Sequence, residues 1–353
     1  MNQYFIYTAR LLSACCFYLF LAKANIWLDT TDNTILAFGY RFFLILAPLV
    51  FLITNKWITL IAFSISTGGI VFWLSDNLFI GTILLSLGMA IGGYVLKYHA
   101  SKTPIGVSNN RIALNMGVFF SGLIILLPIN NKSFMLLGLA FMVITLLCSM
   151  YIREKTQEDH KIQKLNFSFS QLLSIRGLAW AIVGFVMGIK LMSIMSILPQ
   201  YLIYELGKLP WWYGLVISLS SIVIVFLQIP IIHVMKRFNF FQTFILLAIS
   251  MVFIAFPNLF YCETIIGGLI WTFSLTVLEC GISYLDIFSA KEGTLLIKEF
   301  FIGIGMASTV FLMRNVDPAS AAFMLGLIGL IGTLLAVKLL KPQIILQEKV
   351  AIS

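Results

Sequence analysis

Residues 153–176 read REKTQEDHKIQKLNFSFSQLLSIR. This is the one long polar stretch in a chain that is otherwise apolar nearly end to end. Of 353 residues, 60% are hydrophobic and 10% charged, and the mean hydropathy is +1.01. A soluble domain is about 45–50% apolar and about 25% charged, so this chain lacks the polar side chains to cover a surface in water. Disorder is excluded on the same numbers, because it needs low hydrophobicity. Six apolar segments precede the polar stretch, at 4–24, 34–54, 57–75, 78–98, 108–129 and 133–152. Six come after it, at 178–203, 212–235, 241–260, 264–287, 294–313 and 318–340. Each is close to the ~20 residues that a helix needs to cross a bilayer. In lipid every backbone polar group must be satisfied internally, so runs of this kind form helices. The expected fold is an all-α integral membrane protein with twelve transmembrane helices in two six-helix bundles. Residues 1–152 and 178–353 form the bundles, and 153–177 is the linker. No soluble domain fits in what remains.

The formal charge of +9 would suggest nucleic acid in a soluble protein. By position it reads as topology. With both termini and the central stretch on one side, fourteen Lys and Arg residues fall in the loops of that side. Only Lys23, Lys132, Lys208 and Arg314 fall in the opposite loops. Cytoplasmic loops carry such an excess, so both termini are expected in the cytoplasm, with the chain in a bacterial inner membrane and no nucleic-acid partner. The first segment has no basic region before it and no small-x-small exit, and is expected to stay as a helix. Cys15, Cys16, Cys148, Cys262 and Cys280 have no metal-type spacing and read as small buried hydrophobes. His99, His160 and His233 are too scattered for a metal site, and no nucleotide-binding or hydrolase motif occurs.

Few charges interrupt the apolar segments, where each costs about 2.5–3.5 kcal/mol at the helix centre. Such residues point to cavities and partners. Lys190 stands about twelve residues into 178–203, too deep to reach the interface. Ser193, Ser196 and Gln200 come next at i+3, i+6 and i+10 and continue one polar stripe on a straight helix. Glu279 is some fourteen residues from the outer end of 264–287, with Ser283 at i+4 and Asp286 at i+7. Trp271 and Leu275 extend that face outward. Arg41 is seven residues into its segment and is assigned to the cavity. Arg10, Lys23 and Arg111, the last with Asn115 at i+4, are read as snorkelling to an interface. Adjacent Lys298 and Glu299 point to different faces. Five embedded basic residues against three acidic ones favour an anionic or zwitterionic solute. GxxxG at Gly88 and Gly92 is read as helix packing, and Trp211-Trp212-Tyr213 as an interfacial anchor.

The halves also echo one another. An apolar helix with a proline shortly before a basic turn occurs at Pro48 with Asn55-Lys56, and again 182 residues on at Pro230 with Lys236-Arg237. Leu198-Pro199-Gln200-Tyr201-Leu202, the adjoining Trp211-Trp212-Tyr213-Gly214 and GLVISLSSIVIVFLQIPIIHVMKRF, together with the 6+6 layout, resemble the major facilitator superfamily. Its charged loop between helices two and three is reduced here to Asn55-Lys56. The Gly-Pro motif of antiporters is missing from GVFFSGLIILLP, residues 117–128.

The resemblance implies a secondary transporter and not an enzyme. Its central cavity would be lined by helices one, four, seven and ten, so that Lys190 and Glu279 face each other. On this reading Lys190, Ser193, Ser196, Gln200, Arg41 and Trp271 bind a small solute. Glu279 couples transport to protons, and Asp286 with Lys291 forms a gate. No cofactor is expected beyond the proton gradient, and the monomer suffices. Efflux of a siderophore, metabolite or drug is favoured slightly over uptake. The alternatives are a non-transporting sensor or scaffold with the same fold, or a membrane-embedded transferase, which would need a His or Asp dyad that the sequence does not display.

Overall fold

The computed structural model describes residues 2–27, 36, 39, 43, 57–100, 104–152, 173–235, 240–292 and 294–352. Most of the segment 34–54, with Arg41 and Pro48, lies outside the described residues. So do residues 153–172 of the linker and the Lys236-Arg237 turn.

Eleven of the twelve apolar segments coincide with described helices. These are α1 Asn2–Trp27, α2 Ile58–Leu74, α3 Leu78–Ala100, α4 Pro104–Ile125, α5 Asn131–Met150 and α6 Ile175–Leu206. They continue with α7 Tyr213–Met235, α8 Phe240–Ala255, α9 Ile265–Ile282, α11 Leu295–Asn315 and α12 Pro318–Ile352. Between α9 and α11 the chain turns at Ser283-Tyr284 and makes one short further helix, α10, Leu285–Lys291. The segment read as one helix over 264–287 is therefore two. Capping fixes where several helices begin. The side chains of Asn130, Ser174 and Thr264 accept the backbone N–H of Ser133, Gly177 and Gly267 at 2.8, 3.0 and 3.1 Å, each satisfying a donor that the first turn leaves orphaned.

Seven of the helices have spans long and apolar enough to cross a bilayer, and α2 and α8 are shorter but equally apolar. The chain is a multi-pass integral membrane protein. Large apolar side chains such as Phe226, Leu334 and Ile270 are exposed on its outside. In water such a surface would aggregate; in a bilayer it meets hydrocarbon. The two long helices outside the seven, α4 and α11, are the ones that carry Arg111 with Asn109, Asn110 and Asn115, and Lys298 with Glu299.

Helices α1 to α5 pack mainly among themselves, through α2 on α3, α1 on α4 and α5, and α2 on α5. Helices α6 to α12 do the same, through α6 on α11 and α12, α8 on α12 and α9, and α7 on α9. Among the described residues, the extensive contact between the two sets is α4 against α7. Glycine makes it possible. A Cβ at Gly122 would stand 2.5 Å from Ser218 Oγ and 2.8 Å from Gly214 O, and one at Gly214 would stand 2.6 Å from Gly122 O. The two backbones touch, and Ser218 Oγ donates to Phe119 O at 3.3 Å across the contact. Close approach of this kind is what small residues supply where lipid offers no hydrophobic drive. Gly88 does the same on α2, where a Cβ would meet Ala62 O at 2.3 Å. All five cysteines are buried and free.

Helix α6 is not regular. Its α-helical parts, Ile175–Met192 and Leu198–Leu206, are joined by a π-helical turn, Ser193–Ile197, in which Leu198 N–H donates to Ser193 O. Pro199 supplies the reason. It has no N–H for the carbonyl four residues back, and its ring would clash with it. A wider turn removes the clash, and π-turns of this sort occur often at functional sites.

Candidate functional site

Lys190 lies midway along the 32-residue α6, and Glu279 lies near the C-terminal end of α9. The Lys190 ammonium donates to Glu279 Oε2 in a direct ion pair. Lys190 is sealed, its side chain 3% exposed, whereas that of Glu279 is 21% exposed. The cation is therefore held in an apolar interior by a carboxylate that keeps an open edge. Removing the negative charge of that carboxylate would leave a buried ammonium unpaired, which is costly.

Around the pair lie polar groups from α4 and α7. Gln228 on α7 donates from Nε2 to Ser283 Oγ at 3.1 Å, and Ser283 Oγ donates to Cys280 O at 2.7 Å. Arg111 on α4 is close enough to act electrostatically on Lys190 and on Cys280, the neighbour of Glu279. A narrow cleft between α4 and α7 is lined by Arg111, Asn115, Gln228 and apolar residues that include Ile224 and Val225.

The π-turn borders this region. Ser193 and Ser196 are buried, and among the described residues neither hydroxyl has a hydrogen-bond partner. Tyr213, the first residue of α7, donates its hydroxyl to Ile194 O at 2.8 Å, satisfying a carbonyl within the turn. The π-turn inserts one residue, which rotates the remainder of α6 by about 100°. Gln200 thus leaves the stripe that a straight helix would have drawn through Lys190, Ser193 and Ser196.

Other sequence-based assignments are placed differently. Asp286 meets Lys298, which is fully buried and also lies 3.6 Å from Glu299 Oε1. The described ion-pair partner of Asp286 is thus Lys298 on α11. Lys291 ends α10, and its side chain lies outside the described residues. Nearby, Trp180 Nε1 donates to Glu292 Oε2 at 2.7 Å. Trp271 is fully buried between helices, its indole N–H donating to Phe253 O on α8 at 2.9 Å; this places it in a packing contact. Arg10 does not snorkel: it is buried, with Nη1 donating to Gly93 O on α3 at 3.4 Å. Trp212 and Tyr213 are buried too, and only Trp211 is exposed as an interfacial anchor would be. Arg41 lies outside the described residues.

Sequence reasoning passes over three contributors. Pro199 is the available sign of the π-turn. Tyr213 carries no sign beyond its hydroxyl at a helix start. The Arg111–Gln228 cleft depends on α4 meeting α7, which no local pattern announces.

The sequence matches no known protein family and no curated protein. Solved structures do match. A point mutant of the nucleoside transporter NupG superposes with a TM-score of 0.69 at 15% identity, over 97% of this chain and 99% of that one. A POT family transporter in complex with 5-aminolevulinic acid gives 0.72 at 13%, over 97% and 96%. A D-xylose-proton symporter gives 0.67 at 13%, over 96% and 97%. The fold is that of these transporters, the major facilitator fold that the layout resembles.

Proposed function

We propose that this chain is a proton-coupled secondary transporter of a small anionic or zwitterionic solute, working by alternating access. The observation that carries the reading is the Lys190–Glu279 pair, a sealed ammonium held by a partly open carboxylate. While Glu279 is charged it neutralises Lys190. A proton on Glu279 ends that neutralisation, and the site then favours an anion beside the stranded cation. Proton and anion therefore enter together and leave together. The transporter neighbours support the class, and one of them is a D-xylose-proton symporter.

In this reading residues 1–152 and 178–353 are two six-helix units joined by the 153–177 linker. They rock about the close α4–α7 contact at Gly122 and Gly214, with both termini in the cytoplasm of a bacterial cell. Asp286 with Lys298 ties α10 to α11 at one end of the second unit and serves as part of its gate.

The test is flux in proteoliposomes, with a panel of radiolabelled small carboxylates and amino acids and an imposed pH gradient. Accumulation that tracks the gradient and is abolished in Glu279→Gln, with binding kept, supports the reading. Loading solute inside or outside the vesicles reads the direction. Accumulation indifferent to the gradient in wild type and variant overturns proton coupling, and binding without flux favours a sensor.

A further inference from the structure

We infer that the cleft between α4 and α7 is a binding subsite for the acidic group of a solute that also carries a hydrogen-bond donor, such as an amino or hydroxy acid. The inference rests on the transporter reading and adds the place and chemistry of solute recognition.

Two unmet groups share the cleft. Among the described residues Arg111 has no carboxylate within ion-pair distance, although it is a guanidinium inside the helix α4, beside an apolar cleft. Gln228 is 6% exposed, and its Oε1 has no donor, while its amide nitrogen is held by Ser283 Oγ. That hydrogen bond fixes which end of the Gln228 amide faces unpartnered: an acceptor. Buried polar groups without partners are costly and rare in folded proteins, and an embedded cation without a counter-charge is rarer still. Arg111 calls for a carboxylate or phosphonate, with two oxygens matching its fork. Gln228 Oε1 calls for an N–H or O–H. One small molecule bearing both groups satisfies both residues at once. The cleft's apolar wall of Ile112, Ile224, Val225 and Ile229 takes a short aliphatic body. The cleft is narrow, which excludes large drugs.

Position ties the subsite to coupling. Arg111 is in electrostatic range of Lys190, and Gln228 reaches Ser283, four residues beyond Glu279 on α9. An anion on Arg111 therefore brings its charge toward the Lys190–Glu279 pair. Arg111 here acts as a binding residue and Gln228 as a donor-selecting one.

The experiment uses the full-length protein in nanodiscs at fixed ionic strength. Binding of L-lactate, L-alanine, acetate, lactamide and alaninamide is measured by calorimetry. The acids with a donor group bind best, acetate binds at least tenfold more weakly, and the two amides, which lack the carboxylate, do not bind. Arg111→Gln abolishes acid binding, Arg111→Lys keeps part of it, and Gln228→Leu erases the advantage of lactate and alanine over acetate. Equal binding of amides and acids, or full acid binding in a folded Arg111→Gln, overturns the subsite. Size-exclusion profiles establish that each variant is folded, and Arg111→Lys supplies the answer if Arg111→Gln is not. Glu279→Gln separates the two readings. Acid binding that needs Arg111 while Glu279→Gln still couples flux to protons defeats the coupling role alone; acid binding that ignores Arg111 while Glu279→Gln uncouples flux defeats the subsite alone.

Discussion

Lys190 on α6 and Glu279 on α9, 89 residues apart in sequence, form an ion pair whose cation is buried and whose anion is partly open. On the coupling proposal, the more open carboxylate is the partner that exchanges the proton. Replacing Lys190 by Met should therefore leave a stable protein, since Glu279 can take up a proton and become neutral in place. Glu279→Ala strands the ammonium and should be the more damaging change, by about 2–3 kcal/mol relative to Lys190→Met. Thermal unfolding of both variants in the same detergent checks the order.

Tyr213 supports the irregular turn of α6 through its bond to Ile194 O at 2.8 Å. Tyr213→Phe removes the donor and leaves a buried carbonyl unsatisfied, a loss of about 1–3 kcal/mol. The effect should appear as a lower unfolding temperature. Substituting Pro199→Ala removes the reason for the π-turn, so the double variant should lose less than Tyr213→Phe does alone.

The α4–α7 contact tolerates no side chain at its centre. Gly214→Val should disrupt it, because even a Cβ would stand 2.6 Å from the Gly122 carbonyl oxygen. Gly207→Ala is a poor control, since Gly207 has a φ of +71° in the left-handed region. Gly68→Ala is the better one: nothing lies within 4 Å of its added Cβ. Flux and unfolding temperature should fall in Gly214→Val and stay near wild type in Gly68→Ala.

Outside the spanning segments, Asp317 caps α12. The backbone N–H of Ser320 donates to Asp317 Oδ2 at 2.9 Å. This bond above all, with help from the Ser320 and Tyr204 hydroxyls, holds its carboxyl below the usual carboxylate range. A depressed folded-state value means stability present above the unfolded-state value and lost as pH falls through the folded-state one. The difference in unfolding temperature between wild type and Asp317→Asn should hold steady near neutral pH. It should then change in the acid range, with wild type losing ground. A difference independent of pH would contradict the cap's charge.

Much of this is legible in the chain itself. Apolar runs of bilayer length locate eleven described helices, because lipid imposes helix on any such run. Lys190 and Glu279 stand out because a charge there is costly and needs a reason. What stays hidden depends on contacts between distant helices. Nearness in sequence matches Asp286 to Lys291, and the structure pairs it with Lys298 across a turn. Spacing alone puts Trp271 on the polar face, yet its N–H is taken by the Phe253 carbonyl of α8. The Ser193–Ser196–Gln200 stripe assumes a straight helix, and Pro199 is the residue that argues against one. Arg111 looks able to snorkel until α7 is set beside it with Gln228.

The most direct measurement is proton-driven solute accumulation in proteoliposomes by wild type and Glu279→Gln, with solute binding measured in parallel. Accumulation that tracks the pH gradient in wild type and vanishes in a variant that still binds solute is the predicted result. Accumulation that ignores the gradient in wild type, or tracks it unchanged in Glu279→Gln, would contradict the role of the Lys190–Glu279 pair.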